Sequence, residues 1–215
     1  MPATGASNWT YTSPAWVAQK QYTVAARVTD GAGNTATSAS SAFSFDNGAP
    51  TAAIADPDQP FESSLATLSG TAAEINTSSP RGGLNLVQVS IQENPPLGNF
   101  YDGLAFTIPS SSLDTSWRPV SGVTAGSDAA SWTTVSTPAW SAASAYQVRV
   151  RAVDRSGNVS LTASQTFTFE TARPLATITS PADLALDPGT QRISSLPSIL
   201  GTAVNGSGNT SGIQH

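Results

Sequence analysis

Residues 138–158 read PAWSAASAYQVRVRAVDRSGN, and residues 14–34 read PAWVAQKQYTVAARVTDGAGN. The two stretches align Pro14 with Pro138, Trp16 with Trp140, Tyr22 with Tyr146, Asp30 with Asp154 and Asn34 with Asn158, all at one offset of 124 residues. The same offset carries Phe43, Phe45, Pro50 and Ile54 onto Phe167, Phe169, Pro174 and Ile178. SGTA at 69–72 then returns as LGTA at 200–203. The later copy therefore has about seven more loop residues, an insertion that loops absorb at little cost. Trp9 finds a counterpart in Trp132 with one residue of slippage. Self-similarity at a fixed period marks a repeat architecture.

The repeat divides the chain into the last part of one unit (1–47), a complete unit (48–171) and the first part of a third (172–215). Reading frames seldom start and stop inside structural units, so the chain is expected to be a fragment of a longer one. The two partial units, without all their strands, are expected to fray more readily than 48–171.

Each unit reads as β-structure. Tyr22, Val24, Ala26 and Val28 alternate with Thr23, Ala25, Arg27 and Thr29, and Tyr146, Val148, Val150 and Ala152 alternate with Gln147, Arg149 and Arg151. Val87, Val89 and Ile91 alternate in the same way with Gln88, Ser90 and Gln92. A period of two places the apolar set on one face and predicts a half-buried strand. Asp30 to Asn34 and Asp154 to Asn158 separate such runs with turn residues, and Asp102-Gly103 inside an apolar run predicts a hairpin. Strands are predicted near 51–55, 66–72, 86–93, 100–107, 131–136, 146–154 and 162–170. The stretches 73–85 and 108–130 are predicted as loops, the second long enough to hide a short strand. Seven strands suit an antiparallel two-sheet sandwich, so the fold class is all-β.

Composition narrows the function. Charged residues make up 11% of the chain and the formal net charge is −5, which excludes the basic face that nucleic acid binding needs. There are no cysteines, so thiol catalysis, zinc–thiolate sites and disulfides are excluded. No apolar run approaches the roughly 20 residues that span a bilayer. The only histidine is His215, and no Ser/His/Asp arrangement, phosphate loop or metal-protease motif occurs. The chain is expected to be no enzyme.

The run Tyr-x-Val-x-Val-Arg-Ala-x-Asp-x-x-Gly-Asn at 146–158, Phe-x-Phe-Glu at 167–170 and Pro174 resembles the bacterial Ig-like repeats of large surface and secreted proteins. SGTA at 69–72, GLNLVQVSIQ at 83–92 and FYDG at 100–103 are similar to further landmarks of that family. Fibronectin type III modules are a near neighbour. The resemblance implies tandem immunoglobulin-like sandwiches in adhesin-type arrays, outside the cell or on its surface, acting as stalks, spacers or adhesive modules. By the same analogy Tyr22 and Tyr146 would form tyrosine corners, a structural role.

Candidate sites are few. Asp30, Asn34, Asp154 and Asn158 could offer oxygen ligands to calcium, and Asp46-Asn47 and Asp56-Pro57-Asp58 lie near a repeat junction. The plainer reading, which is preferred, is that Asp and Asn stabilise their own turns. Trp16 and Trp140 recur at equivalent positions, which favours packing over ligand contact. Trp117 has no counterpart and is the best candidate for an exposed contact, with Tyr101 a second candidate among the loops at one end of the sandwich. No cofactor is expected apart from a possible calcium. Expected partners are neighbouring repeats and a surface glycan or protein. The leading function is a mechanical spacer; the alternatives are a carbohydrate- or protein-binding accessory module of a secreted enzyme, and a calcium-stiffened stalk.

Overall fold

A computed structural model describes residues 7–75, 82–181, 195–206 and 211–213. The chain is all-β, built from several antiparallel sheets of the Ig-like sandwich type.

The first stretch forms β1 (Lys20–Val24), β2 (Arg27–Thr29), β3 (Thr35–Thr37) and β4 (Ser41–Phe45). β1 pairs with β4, and β2 with β3, as two separate antiparallel ladders. The predicted single run from Tyr22 to Val28 thus breaks after Val24. Its inward-facing residues are not buried as expected: Val24 and Val28 are 49% and 65% exposed. The alternation is present, but among the described residues no second sheet covers it.

The sandwich itself begins with β5 (Thr51–Asp56), β6 (Phe61–Glu62) and β7 (Ser69–Ala73). It continues through β8 (Leu84–Glu93), β9 (Phe100–Tyr101), β10 (Phe106–Ile108) and a 3-10 turn at Leu113–Thr115. β11 (Arg118–Pro119), β12 (Ala129–Thr133), β13 (Ser144–Asp154) and β14 (Ala163–Phe169) complete it. One sheet runs β12-β7-β5; the other runs β10-β9-β8-β13-β14-β6, with β11 also on β8. The hairpin expected at Asp102-Gly103 divides the stretch 100–107 into β9 and β10, and Asp102 closes its turn through N–H to the Ala105 carbonyl at 2.9 Å. β11 is the short strand hidden in 108–130. β6 was not anticipated, and it pairs with β14 in parallel, an exception to the expected antiparallel pattern.

Leu65, Leu68, Val87, Val89, Ile91, Trp132, Tyr146, Val148, Val150 and Phe167 meet in one core, all under a tenth exposed. Burying side chains of this size stabilises by about 1.5–3 kcal/mol each before entropy is subtracted. The polar side of the large sheet holds a surprise. Ser90 and Gln92, predicted to face water, are 0% and 2% exposed. The segment between β8 and β12 folds over them. Ser116 shares a 2.6 Å hydrogen bond with Ser90, and the Gln92 amide donates to the Pro96 and Gly98 carbonyls at 2.8 and 2.9 Å. Those bonds remove the penalty of hiding polar groups from water.

Beyond the sandwich, β15 (Leu175–Ser180) pairs with β16 (Leu200–Val204). Every residue of β16 is exposed, and so is every residue of β15 before Ser180.

Candidate functional site

The Asp/Asn turns come first because the sequence singled them out. Asp30 Oδ1 accepts the Ala32 and Asn34 backbone N–H groups at 2.9 and 2.8 Å, and Oδ2 accepts the Asn34 amide at 2.8 Å. Asp154 repeats the arrangement with Asn158, at 2.8 Å from the backbone and 2.7 Å from the side chain. In both turns the fourth residue is a glycine with positive φ (+88° at Gly33, +90° at Gly157), where glycine sits without strain. The Asn34 side chain, followed by its backbone N–H, holds the Asp30 carboxyl below its usual pKa. These carboxylates are occupied by their own turns.

The second turn does something more. The Asn158 side-chain amide also donates to the Asp46 carbonyl at 3.2 Å, joining the end of β4's strand to the sandwich. The Asp46 carboxylate accepts Gly48 N–H at 3.0 Å and Gly82 N–H at 2.8 Å. The loop passes close here: a Cβ on Gly82 would stand 2.8 Å from Ser156 Oγ and 3.2 Å from Asp46 Oδ2, so a side chain there would push both aside. One acid thereby catches the loop that leads into β8. At the offset of the repeat, Asp46 corresponds to Glu170. Glu170 is 7% exposed and accepts Ser211 N–H at 3.0 Å and Ser211 Oγ–H at 3.2 Å. Ser211 lies in the stretch that the repeat matches to the Gly82 loop. The change from Asp46-Asn47 to Glu170-Thr171 keeps the acid and keeps its task.

Asp46, Glu74 and Asp154 bring carboxylate oxygens within 4.8 Å of one another, as do Asp56, Asp58 and Glu62. Such oxygens are the donors that calcium takes. In the first group Asp46 and Asp154 already accept N–H bonds; Asn34 and Asp30 lie in the other turn and do not join it. Glu74, 7% exposed, could not have been foreseen, since nothing in the spacing links it to a turn eighty residues away. Burial, then the charges of Asp56 and Asp58, pushes the Glu62 carboxyl up, and burial followed by Asp58 does the same to Asp56.

The aromatic candidates are packed. Ser141 N–H donates to the Tyr146 hydroxyl at 2.8 Å, and Val17 N–H to the Tyr22 hydroxyl at 2.8 Å. Trp140 lies edge-on to Tyr146 at 4.8 Å and donates to the Leu65 carbonyl at 2.7 Å. Trp16 lies 4.6 Å from Tyr22. Trp117 is not the exposed contact expected of it. It is 8% exposed, with the Arg151 guanidinium 4.3 Å from its ring centre, on the covered polar side of the large sheet. Tyr101 is 5% exposed, and its hydroxyl donates to the Gly103 carbonyl at 2.7 Å. It lines a shallow cleft of about 230 Å³ with Val89, Ile91, Arg118, Pro119 and Val135. Beside it, Asp102 has its pKa held down to about 2, chiefly by Thr107 and then by the Ala105 and Leu104 N–H groups.

Residues 1–47 match a family model described as a bacterial Ig-like domain, and residues 110–171 match a second model with the same description. A comparison with the curated proteins finds no match.

Proposed function

We propose, from the premise that the chain belongs to the bacterial Ig-like domains, that it is a stalk or spacer segment of a large extracellular or cell-surface bacterial protein. The family supports a non-catalytic structural module. The finer division into 1–47, 48–171 and 172–215 belongs to the same proposal, with adhesion as a secondary role.

The observation that carries it is the recurring acid. Asp46 and Glu170 stand at equivalent positions, and each accepts a backbone N–H from the loop that follows in the next unit. A spacer must resist bending at its junctions, and a repeated carboxylate bond limits that motion at each one. Charge-assisted bonds of this kind contribute roughly 1–3 kcal/mol where water is partly excluded. In an array such neighbour terms add to the stability of each repeat.

The test is a distance distribution between spin labels at exposed Thr37 and Ser131. Asp46→Ala is expected to broaden it at least twofold, while Asp58→Ala leaves it unchanged. An Asp46→Ala distribution as narrow as the wild type would end the clamp reading. The width is expected to be the same in chelator and in millimolar calcium, because the Asp46 and Asp154 oxygens each already accept an N–H bond.

A further inference from the structure

β6 lies at the edge of the large sheet and runs parallel to β14, whereas every other ladder among the described strands is antiparallel. Thr168 N–H donates to the Pro60 carbonyl at 2.9 Å, and Glu170 N–H donates to the Glu62 carbonyl at 2.8 Å. Two backbone bonds at an edge add little to an equilibrium melt. Their place in the chain gives them another weight.

The chain enters the sandwich beside the turn from Asp154 to Asn158, because the Asn158 amide holds the Asp46 carbonyl. That turn leads into β14, and the chain leaves the sandwich just past the opposite end of β14, at Glu170. Entry and exit therefore lie at opposite poles, separated by at least the seven residues of β14, or about 20 Å at the usual strand rise. Tension along the chain draws β5 and β6 toward the first pole and β14 toward the second. β5 is tied to β7 from Thr51 to Asp56, and β14 is tied to β13 along its whole length. β6 joins the two pulled segments directly. Since β6 and β14 run the same way, the pull acts on opposite ends of the pair. Both bonds then lie across the line of force and are loaded together. An edge pulled from one common end would open them one at a time.

We infer that β6 and β14 form a shear clamp, which sets the force at which the sandwich unfolds and contributes little to its equilibrium stability. Forced unfolding is governed by the unfolding rate, so resistance to tension and resistance to denaturant need not follow one another. The use of such a clamp rests on the stalk reading, because only a chain under tension needs it.

Single-molecule stretching of the full chain tests it. Rupture of the sandwich is recognised by its length gain, roughly 40 nm for about 120 residues drawn out. One experiment pulls the chain by its two ends. The other pulls it by Ser64→Cys, an exposed position just past β6 in a chain with no cysteine of its own, and by the C-terminal end. Ser64 and Glu170 lie at the same pole, so the second pull peels β6 from β14. The end-to-end force is expected to exceed the peeling force at least about twofold. Thr168→Pro deletes the donor to Pro60 and sets its ring against β6. It is expected to lose about half of the end-to-end force or more, with a much smaller change in the denaturant midpoint. Asp102→Ala loosens the β9–β10 turn, away from the strands that join entry to exit, and is expected to leave the force unchanged.

Equal forces in the two pulling directions overturn the inference, and that comparison alters no residue of β6 or β14. A folded Thr168→Pro chain that ruptures at the wild-type force overturns it too. Failure here is distinct from failure of the stalk reading, which is decided by the spin-label width in Asp46→Ala and not by any rupture force.

Discussion

The hairpin at 16–45 and its copy at 140–169 agree almost to the tenth of an ångström. Trp16 stands 5.1 Å from Phe43 and Trp140 5.3 Å from Phe167; the paired Tyr–Phe distances are 5.6 and 5.5 Å. Gln19 and Ala143 share a left-handed φ of 59° and 60°, and each donates to the carbonyl of the matching Phe. Yet Val148 is fully buried and Val24 is half exposed. The local sequence therefore sets turn, register and aromatic contacts, while burial depends on a facing sheet that, among the described residues, only the second copy possesses. Propensity and hydrogen bonding travel with the segment, but the hydrophobic term does not.

Identical substitutions in the two copies measure that difference. The largest effect is expected at the tryptophans. Trp132→Ala should cost about 3–5 kcal/mol in a denaturant melt, from lost area and a cavity. Trp9→Ala should shift the same melt by less than about 0.5 kcal/mol. Equal costs would mean that the first face is covered after all.

The turns come next. Asp154, 1% exposed, accepts the Asn158 N–H and one bond of its amide, so Asp154→Ala should cost about 1–3 kcal/mol. Asp30→Ala should leave the melt unchanged and only speed amide exchange at Ala32 and Asn34. Asp30 has a lowered pKa, so its turn bonds are intact above the ordinary carboxylate value. They are lost as pH falls through the lowered one.

The smallest effect sharpens the sandwich side alone. The Glu62 carboxyl is raised, so the native state holds its proton more tightly than the unfolded chain does. Its contribution is present below the ordinary carboxylate pKa and is lost as pH rises through the raised value. Glu62→Gln is expected to gain a few tenths of a kcal/mol at pH 7, with the gain gone near pH 4. A constant gain across that range would point to packing instead of charge.

The internal offset and the period-two runs made the sandwich legible, since both rest on apolar spacing. Ser90 and Gln92 differ from the expectation for one reason, and Trp117 for another. Alternation assigns polar residues to water, and it cannot register a covering segment that satisfies them bond for bond. Trp117, lacking a counterpart in the repeat, reads as exposed, yet it packs under Arg151. Arg151, whose guanidinium covers the Trp117 ring, reads in sequence as an ordinary surface charge. β6 escaped because two residues carry no period. At the junction, Asp46 was visible as an acid near a boundary, but its partner Gly82 makes its bond through the backbone, which no side-chain pattern advertises. Glu74 joins Asp46 and Asp154 only through the fold.

The bond from Gly82 to Asp46 also bears on modularity. A loop in a solitary sandwich answers only to its own two strands and can drift in length and sequence. The loop carrying Gly82 must instead stay in reach of an acid contributed by the preceding stretch of chain. A recombination event that cuts just before Gly48 would transplant an intact sandwich and leave its latch behind. The stretch held together by hydrogen bonds therefore starts earlier than the strands of the sandwich.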